Sequence, residues 1–227
     1  MKICMIHGQN HKGSTYHIGK MLGDKLGGEV TEFFLPRDFS EFCCGCTQCF
    51  MKSETLCPHY EKLRPLTEAI DDADLLIFTS PVYVYHCTGS MKAFLDHYGW
   101  RWILHRPEEK MFSKQAVAIS TAAGAGMKTT CKDITDSFRF WGVGKYYSYG
   151  AAVMATAWNE IKPEKKRKIE NDIESLAAKI NSAHGKVKPP LRTKAFFELN
   201  SRLFKGISPA DKEYWKSKGW TENARPW

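Results

Sequence analysis

Apolar and polar positions along this chain follow two alternating spacings. Short apolar-rich runs at Lys2–His7, Glu29–Leu35, Asp74–Thr79, Gln115–Ser120 and Lys145–Val153 read as strands, and Leu75-Leu76-Ile77-Phe78 is continuous enough to be buried on both faces. Between them, apolar residues recur at helical spacing. Ile18, Met21, Leu22 and Leu26 mark a helix over Thr15–Leu26, closed by Gly27-Gly28, and Leu63, Leu66 and Ile70 mark another over Tyr60–Asp72. Further helices fit Ser90–Ile103 and Lys128–Trp141. A last stripe of Ile169, Ile173, Leu176 and Ile180 starts at Pro163 and ends near Gly185. Strict alternation of strand and helix predicts an α/β fold, a parallel sheet covered by helices on both faces. The chain shows no internal repeat and no low-complexity segment.

Pro189-Pro190 divides residues 1–188 from an extension over 189–227. The extension carries Phe196, Phe197, Phe204, Tyr214, Trp215, Trp220 and Trp227, too aromatic for a disordered tail. Packing onto the domain or onto a second subunit is expected, and since an isolated arm of this kind would expose a large apolar patch, wrapping of a neighbouring subunit is predicted.

Composition narrows the class. At 227 residues, 43% hydrophobic and 26% charged, the chain suits one soluble globular core. No apolar run approaches the roughly 20 residues of a membrane-spanning helix, and the apolar start is too brief for a secretory leader; a cytoplasmic protein is expected. Of eight cysteines, five lie between Cys43 and Cys57, which favours reduced thiols, a metal or cluster site, or redox chemistry over a secreted disulfide framework. The net charge of +8 resides wholly in residues 162–227. It is read as a solvated helix face and a basic arm, and no motif for nucleic acid accompanies it.

Open parallel sheets bind ligands beyond the carboxyl ends of their strands, and three loops here occupy that edge. The first, Gln9-Asn10-His11-Lys12-Gly13-Ser14-Thr15, precedes a helix whose amino terminus attracts an anion; Ser14 and Thr15 offer hydroxyls and Gly13 close backbone approach. It matches neither G-x-x-x-x-G-K-[ST] nor G-x-G-x-x-G, and Ser14 is equally readable as a helix cap. The second runs from Thr79-Ser80-Pro81-Val82-Tyr83-Val84-Tyr85-His86 to Met91-Lys92-Ala93-Phe94-Leu95-Asp96. The third is Thr121-Ala122-Ala123-Gly124-Ala125-Gly126, small enough to admit a flat ring.

A buried strand ending in Ser80-Pro81-Val82-Tyr83, followed by Met91-Lys92 and Phe94-Leu95-Asp96, resembles the NAD(P)H-dependent flavin and quinone reductases of the flavodoxin-like superfamily. The resemblance spans roughly residues 1–185. It implies a doubly wound, five-stranded parallel sheet in the order 2-1-3-4-5, with FMN as cofactor and NAD(P)H as co-substrate. It further implies an FMN site built from Gln9, Lys12, Gly13, Ser14, Thr15, Pro81, Val82, Tyr83, Val84, Thr121, Ala122 and Gly124. The cofactor would carry the redox chemistry, so no catalytic acid or base is assigned. Tyr83 and Tyr85 are candidates to shield the ring, and His86 is either a proton donor to a quinone or a solvated loop histidine.

Ignoring Cys44, the cysteine loop reads C-x2-C-x2-C-x7-C from Cys43 to Cys57, a compact set suited to a cubane cluster. This part resembles the iron–sulfur flavoproteins, which implies a [4Fe–4S] cluster on Cys43, Cys46, Cys49 and Cys57. Zinc, a Cys46–Cys49 dithiol, and reduced thiols packing a subunit interface stand beside it. The pattern thus favours an enzyme reducing a quinone, flavin or similar acceptor, expected as a homodimer or tetramer. The rivals are an electron carrier serving a redox protein and a binding module that has lost FMN. A pI near 9.0 disfavours a plain flavodoxin, which is typically acidic.

Overall fold

The computed structural model describes residues 1–204 and 207–227. Five parallel strands, β1 (Lys2–His7), β2 (Glu29–Phe34), β3 (Leu75–Pro81), β4 (Gln115–Ala122) and β5 (Lys145–Ala152), pair in the order β2-β1-β3-β4-β5. The sequence expectation of a flavodoxin-like sheet is met, with strand limits within a residue or two of those read from the pattern. Ile3 pairs with Val30 on one side and Leu75 on the other, and Leu75 with Gln115, so β1 and β3 lie inside the sheet. Strands buried on both faces have no polar side to alternate with, which explains their unbroken apolar runs.

The pleat sends successive side chains to opposite cores. Ile3, Met5, Leu75, Ile77, Val117 and Ile119 meet the apolar stripes of α1 (Ser14–Leu26) and, late in the chain, the helix Pro163–Ala183. Cys4, Ile6, Leu76, Phe78, Ala116 and Ala118 face the other way, onto the helices that follow β2, β3 and β4. Those helices are the four-residue α2 (Gln48–Met51), α3 (Tyr60–Asp72), α4 (Gly89–Asp96) and α5 (Met127–Trp141). The helix Pro163–Ala183 is α6.

One helix is shorter than its pattern. The expected helix over Ser90–Ile103 ends at Asp96, and a single 3₁₀ turn at Gly99–Arg101 follows. Gly99 lies against the ring of Phe50, where a Cβ would come within 2.7 Å, so only a glycine lets the chain pass this close to the cysteine loop.

The extension departs further from expectation. It forms α7 (Leu191–Leu199), a π-helical turn at Asn200–Phe204 and α8 (Pro209–Ser217). Three of its aromatics pack onto the domain rather than reaching for a neighbouring subunit: Phe197, Trp215 and Trp220 are buried with Ile103 and Phe112 of their own chain. The Trp215 indole donates to the His105 carbonyl (2.5 Å) and the Tyr214 hydroxyl to that of Pro107 (2.6 Å). The side chain of Phe204 lies outside the described residues. The segment between α4 and β4 supplies apolar partners that a pattern of regular elements does not reveal. Among the described residues no helix is long and apolar enough to cross a membrane.

Candidate flavin site and cysteine loop

The three loops meet at the carboxyl edge of the sheet around a cleft of about 230 Å³. Gln9, Gly13, Ser14, Thr15, Pro81, Val82, Tyr83, Thr121 and Ala122 line it, as expected from sequence. Lys12, Val84 and Gly124 do not. The Lys12 ammonium lies over the Tyr16 ring, 5.2 Å from its centre, where a cation meets the negative ring face. Val84 is 93% exposed at the tip of a turn, and a Cβ on Gly124 would meet nothing within 4 Å. The cleft also takes His7, His11, Tyr16, Thr79, Ala123, Val153, Ala155 and Thr156. The last three follow β5, a loop with no glycine or motif to mark it in the sequence.

Ser14 is not a cap. Gly13 holds the N-cap position of α1 without a side-chain bond, the first turn contains no acidic residue, and the buried Ser14 hydroxyl has no partner. The first N–H groups of a helix lack intrahelical partners and its amino terminus favours negative charge, and here an unpartnered hydroxyl stands beside them at the cleft. The Thr15 hydroxyl lies 2.5 Å from that of Thr121, which ties the first loop to the third.

Cross-bonds fix the second loop. The Gln9 amide donates to the Tyr83 hydroxyl (2.7 Å), and the Thr88 hydroxyl donates to the Gly8 carbonyl (2.6 Å). Tyr83 and His86 exchange backbone hydrogen bonds of 2.9 and 3.0 Å around Val84 and Tyr85, which have φ of 47° and 68°. Left-handed backbone at a β-branched residue is strained, and such strain persists only where surrounding contacts enforce it. Gly126, at φ 96°, packs where a Cβ would lie 2.6 Å from Val82, so the third loop presses on the second. His86 turns away from the cleft and pairs with Asp133 at 3.1 Å. His7, buried beneath the site, stacks on Phe34 with ring centres 4.5 Å apart; burial pulls its pKa down to about 4 against the attraction of Glu32.

The cysteine loop reverses direction at Gly45 (φ 65°) and Thr47 (φ 57°). Burial pushes the Cys49 thiol up to about 11, and Cys57, Cys43 and Cys46 add to that through their own negative charge. The four thiols are near enough to influence one another's ionisation, but among the described residues no three of them come within 4.8 Å of one another as the ligands of a single ion would. Cys57 also adjoins the imidazoles of His59 and His97, whose Nδ1 and Nε2 lie 3.0 Å apart. Among the described residues all eight cysteines are free.

A parallel sheet in this order, with a cleft at the carboxyl ends of its strands bordered by the start of its first helix, is the architecture of flavodoxin-like FMN oxidoreductases. The family model described as NADPH-dependent FMN reductase matches residues 1–159, and the chain belongs to that family. Among curated proteins it is similar to an iron–sulfur flavoprotein of Archaeoglobus fulgidus, 26% identical over 207 residues, covering 86% of this chain and 87% of the relative. An iron–sulfur flavoprotein of Methanocaldococcus jannaschii is 30% identical over 155 residues, covering 66% of this chain and 75% of the relative. Among solved structures, an FMN-dependent NADH-azoreductase from Bacillus anthracis in complex with FMN superposes with a TM-score of 0.59 at 11% identity. That alignment covers 79% of this chain and 99% of the azoreductase and establishes the shared fold.

Proposed function

We propose that the protein takes hydride from NAD(P)H onto FMN held in this cleft and passes reducing equivalents to a quinone, free flavin or similar acceptor. The observation that carries the reading is the partnerless Ser14 hydroxyl at an uncapped helix terminus, opening on a cleft walled by the Pro81–Tyr83 and Thr121–Ala122 segments. FMN supplies the redox chemistry when bound. The chain's own residues bind and orient. The α1 terminus with Gly13, Ser14 and Thr15 takes the phosphate, and Gln9 holds Tyr83 at the rim. Pro81 and Val82 line the cleft side by side with Thr121 and Ala122, joined by the Val82 N–H to Thr121 carbonyl hydrogen bond of 2.9 Å. No side chain is needed to move a proton in the hydride step. Titrating the metal-free, FMN-loaded protein with NADPH and NADH tests the reading: bleaching of the flavin within the mixing time of a rapid-flow experiment supports it, and a flavin that stays oxidised refutes it.

The thiol grouping favours a second reading, an iron–sulfur flavoprotein that exchanges electrons with a protein partner. Cys43, Cys46, Cys49 and Cys57 would hold a [4Fe–4S] cluster, a one-electron group that FMN alone does not provide. A visible spectrum with iron and sulfide analysis of protein purified without oxygen separates the two. A yellow, iron-free protein supports the reductase alone; broad brown absorbance with about four irons per flavin supports the cluster. A homodimer or tetramer is also proposed, supported by Val84, Tyr85 and Met154, apolar yet 93%, 64% and 84% exposed in the loops after β3 and β5. The eight free thiols support a cytoplasmic setting.

A further inference from the structure

The four-residue helix α2 carries Cys49 and buries none of its own residues. A helix of one turn has no stability of its own. Its Thr47 N-cap makes no side-chain bond and sits at a left-handed φ. Something outside must hold it, and the contacts come from far along the chain. The Arg106 guanidinium donates to the Cys49 carbonyl and, at 3.4 Å, to that of Phe50. The Ser208 hydroxyl donates to the same Phe50 carbonyl at 2.8 Å. Arg106 is itself fixed by Asp211 at 2.6 Å, a carboxylate of zero exposure that also accepts from His105 Nδ1 (2.9 Å) and Ser208 N–H (3.1 Å). Asp211 and Ser208 form the capping box of α8, and α8 is anchored by the buried Trp215. A buried cation therefore rests on the peptide of the third cysteine, held there by the C-terminal extension.

We propose that the extension is a clamp for the cysteine loop, with Arg106 as the positioning residue that fixes Cys49 for metal ligation. The proposal rests on the iron–sulfur reading. Arg106 also lies 3.4 Å from the Glu54 carboxylate, which belongs to the cysteine loop itself, so Asp211 is the carboxylate that ties this cation, and through it the loop, to α8. Removing Asp211 should free Arg106 and, with it, the Cys49 turn, while the flavin cleft on the first, third and fourth strands is untouched.

The test uses the full chain as Asp211→Asn and Arg106→Gln, with Arg106→Lys and Ser208→Ala as milder changes. In metal-free protein, iodoacetamide labelling of Cys49, read by peptide mass spectrometry, should quicken about tenfold in the first two variants, the factor that 1.4 kcal/mol supplies. Cys131, buried between α5 and the sheet, should stay protected and report an intact fold. Protected Cys131 with an unchanged Cys49 rate overturns the clamp. Where Asp211→Asn exposes Cys131, Ser208→Ala and Arg106→Lys decide by the same comparison. In a second arm the proteins are loaded with ferrous iron and sulfide without oxygen. Iron release to a chelator about tenfold faster than in the unsubstituted protein supports the proposal, and an equal rate overturns it. Unsubstituted protein that takes up no iron overturns the iron–sulfur reading and this role of the clamp, even if the labelling rates differ.

Discussion

Replacing Ser14 with Asp sets two electrostatic effects of opposite sign against each other at one point. In the free protein the first turn of α1 has no acidic residue and no side-chain cap. A carboxylate there meets the positive end of the helix dipole, an interaction worth about 0.3–1 kcal/mol in favour of folding. With FMN bound, the same carboxylate faces the phosphate. Two charges about 4 Å apart at an effective dielectric constant of about 20 repel by about 4 kcal/mol. FMN affinity should fall by about three orders of magnitude. Ser14→Ala removes only a hydroxyl donor to a charged acceptor, about 1.5–3 kcal/mol, for a tenfold to hundredfold loss. Quenching of FMN fluorescence by titrated apoprotein gives both affinities, and thermal unfolding of the two apoproteins gives the folding term. Affinity of the Asp variant within tenfold of the unsubstituted protein, with the apoprotein no less stable, would refute the placement of the phosphate on α1.

Other expectations follow from the same contacts. His7, held neutral by burial with its pKa near 4, refuses the proton that an unfolded histidine accepts below pH 6.5. Stability should therefore decline as pH falls, by about 2 kcal/mol between pH 7.5 and 5 from this group. Urea unfolding at the two pH values checks it, with His7→Gln expected to flatten the dependence. Gly126→Ala places a Cβ 2.6 Å from Val82 at a left-handed φ, so it should loosen the second loop and weaken FMN binding more than it lowers the unfolding midpoint of the apoprotein. Trp215→Ala opens the core shared by α7, α8 and Phe112 and should cost about 3–5 kcal/mol in urea unfolding. A loss under about 1 kcal/mol would show that the extension packs elsewhere.

Much of the sheet was legible because doubly buried strands must be apolar along their whole length and their crossover helices apolar along one stripe. Leu75–Phe78, Ile18–Leu22 and Ile169–Ile180 announced themselves on those grounds. The cleft residues Gly13, Ser14 and Thr15 were legible too, since they directly precede or begin a helix that the stripe had located. Three features were beyond such patterning. The helix after Ser90 stops at Asp96, and Gly99 beyond it lies against Phe50, a contact between residues distant in sequence. Lys12, Val84 and Gly124 belong to the right loops yet stand outside the cleft, since loop membership does not settle side-chain direction. Val153, Ala155 and Thr156 enter the cleft only because β5 is the edge neighbour of β4.

What the sequence determined by itself was the α/β alternation, the edge of the sheet where chemistry gathers, and the clustering of cysteines in one loop. These depend on local periodicity and spacing, which the order of residues encodes directly. The tertiary structure alone decided that the Ser14 hydroxyl is left free rather than used as a cap, that His86 turns to Asp133, and that the C-terminal aromatics close on their own chain. It also decided that Arg106 and Asp211 reach the peptide of Cys49. Each depends on which of many possible polar or apolar partners comes within a few ångströms, and that choice is made by the packing of elements far apart in sequence.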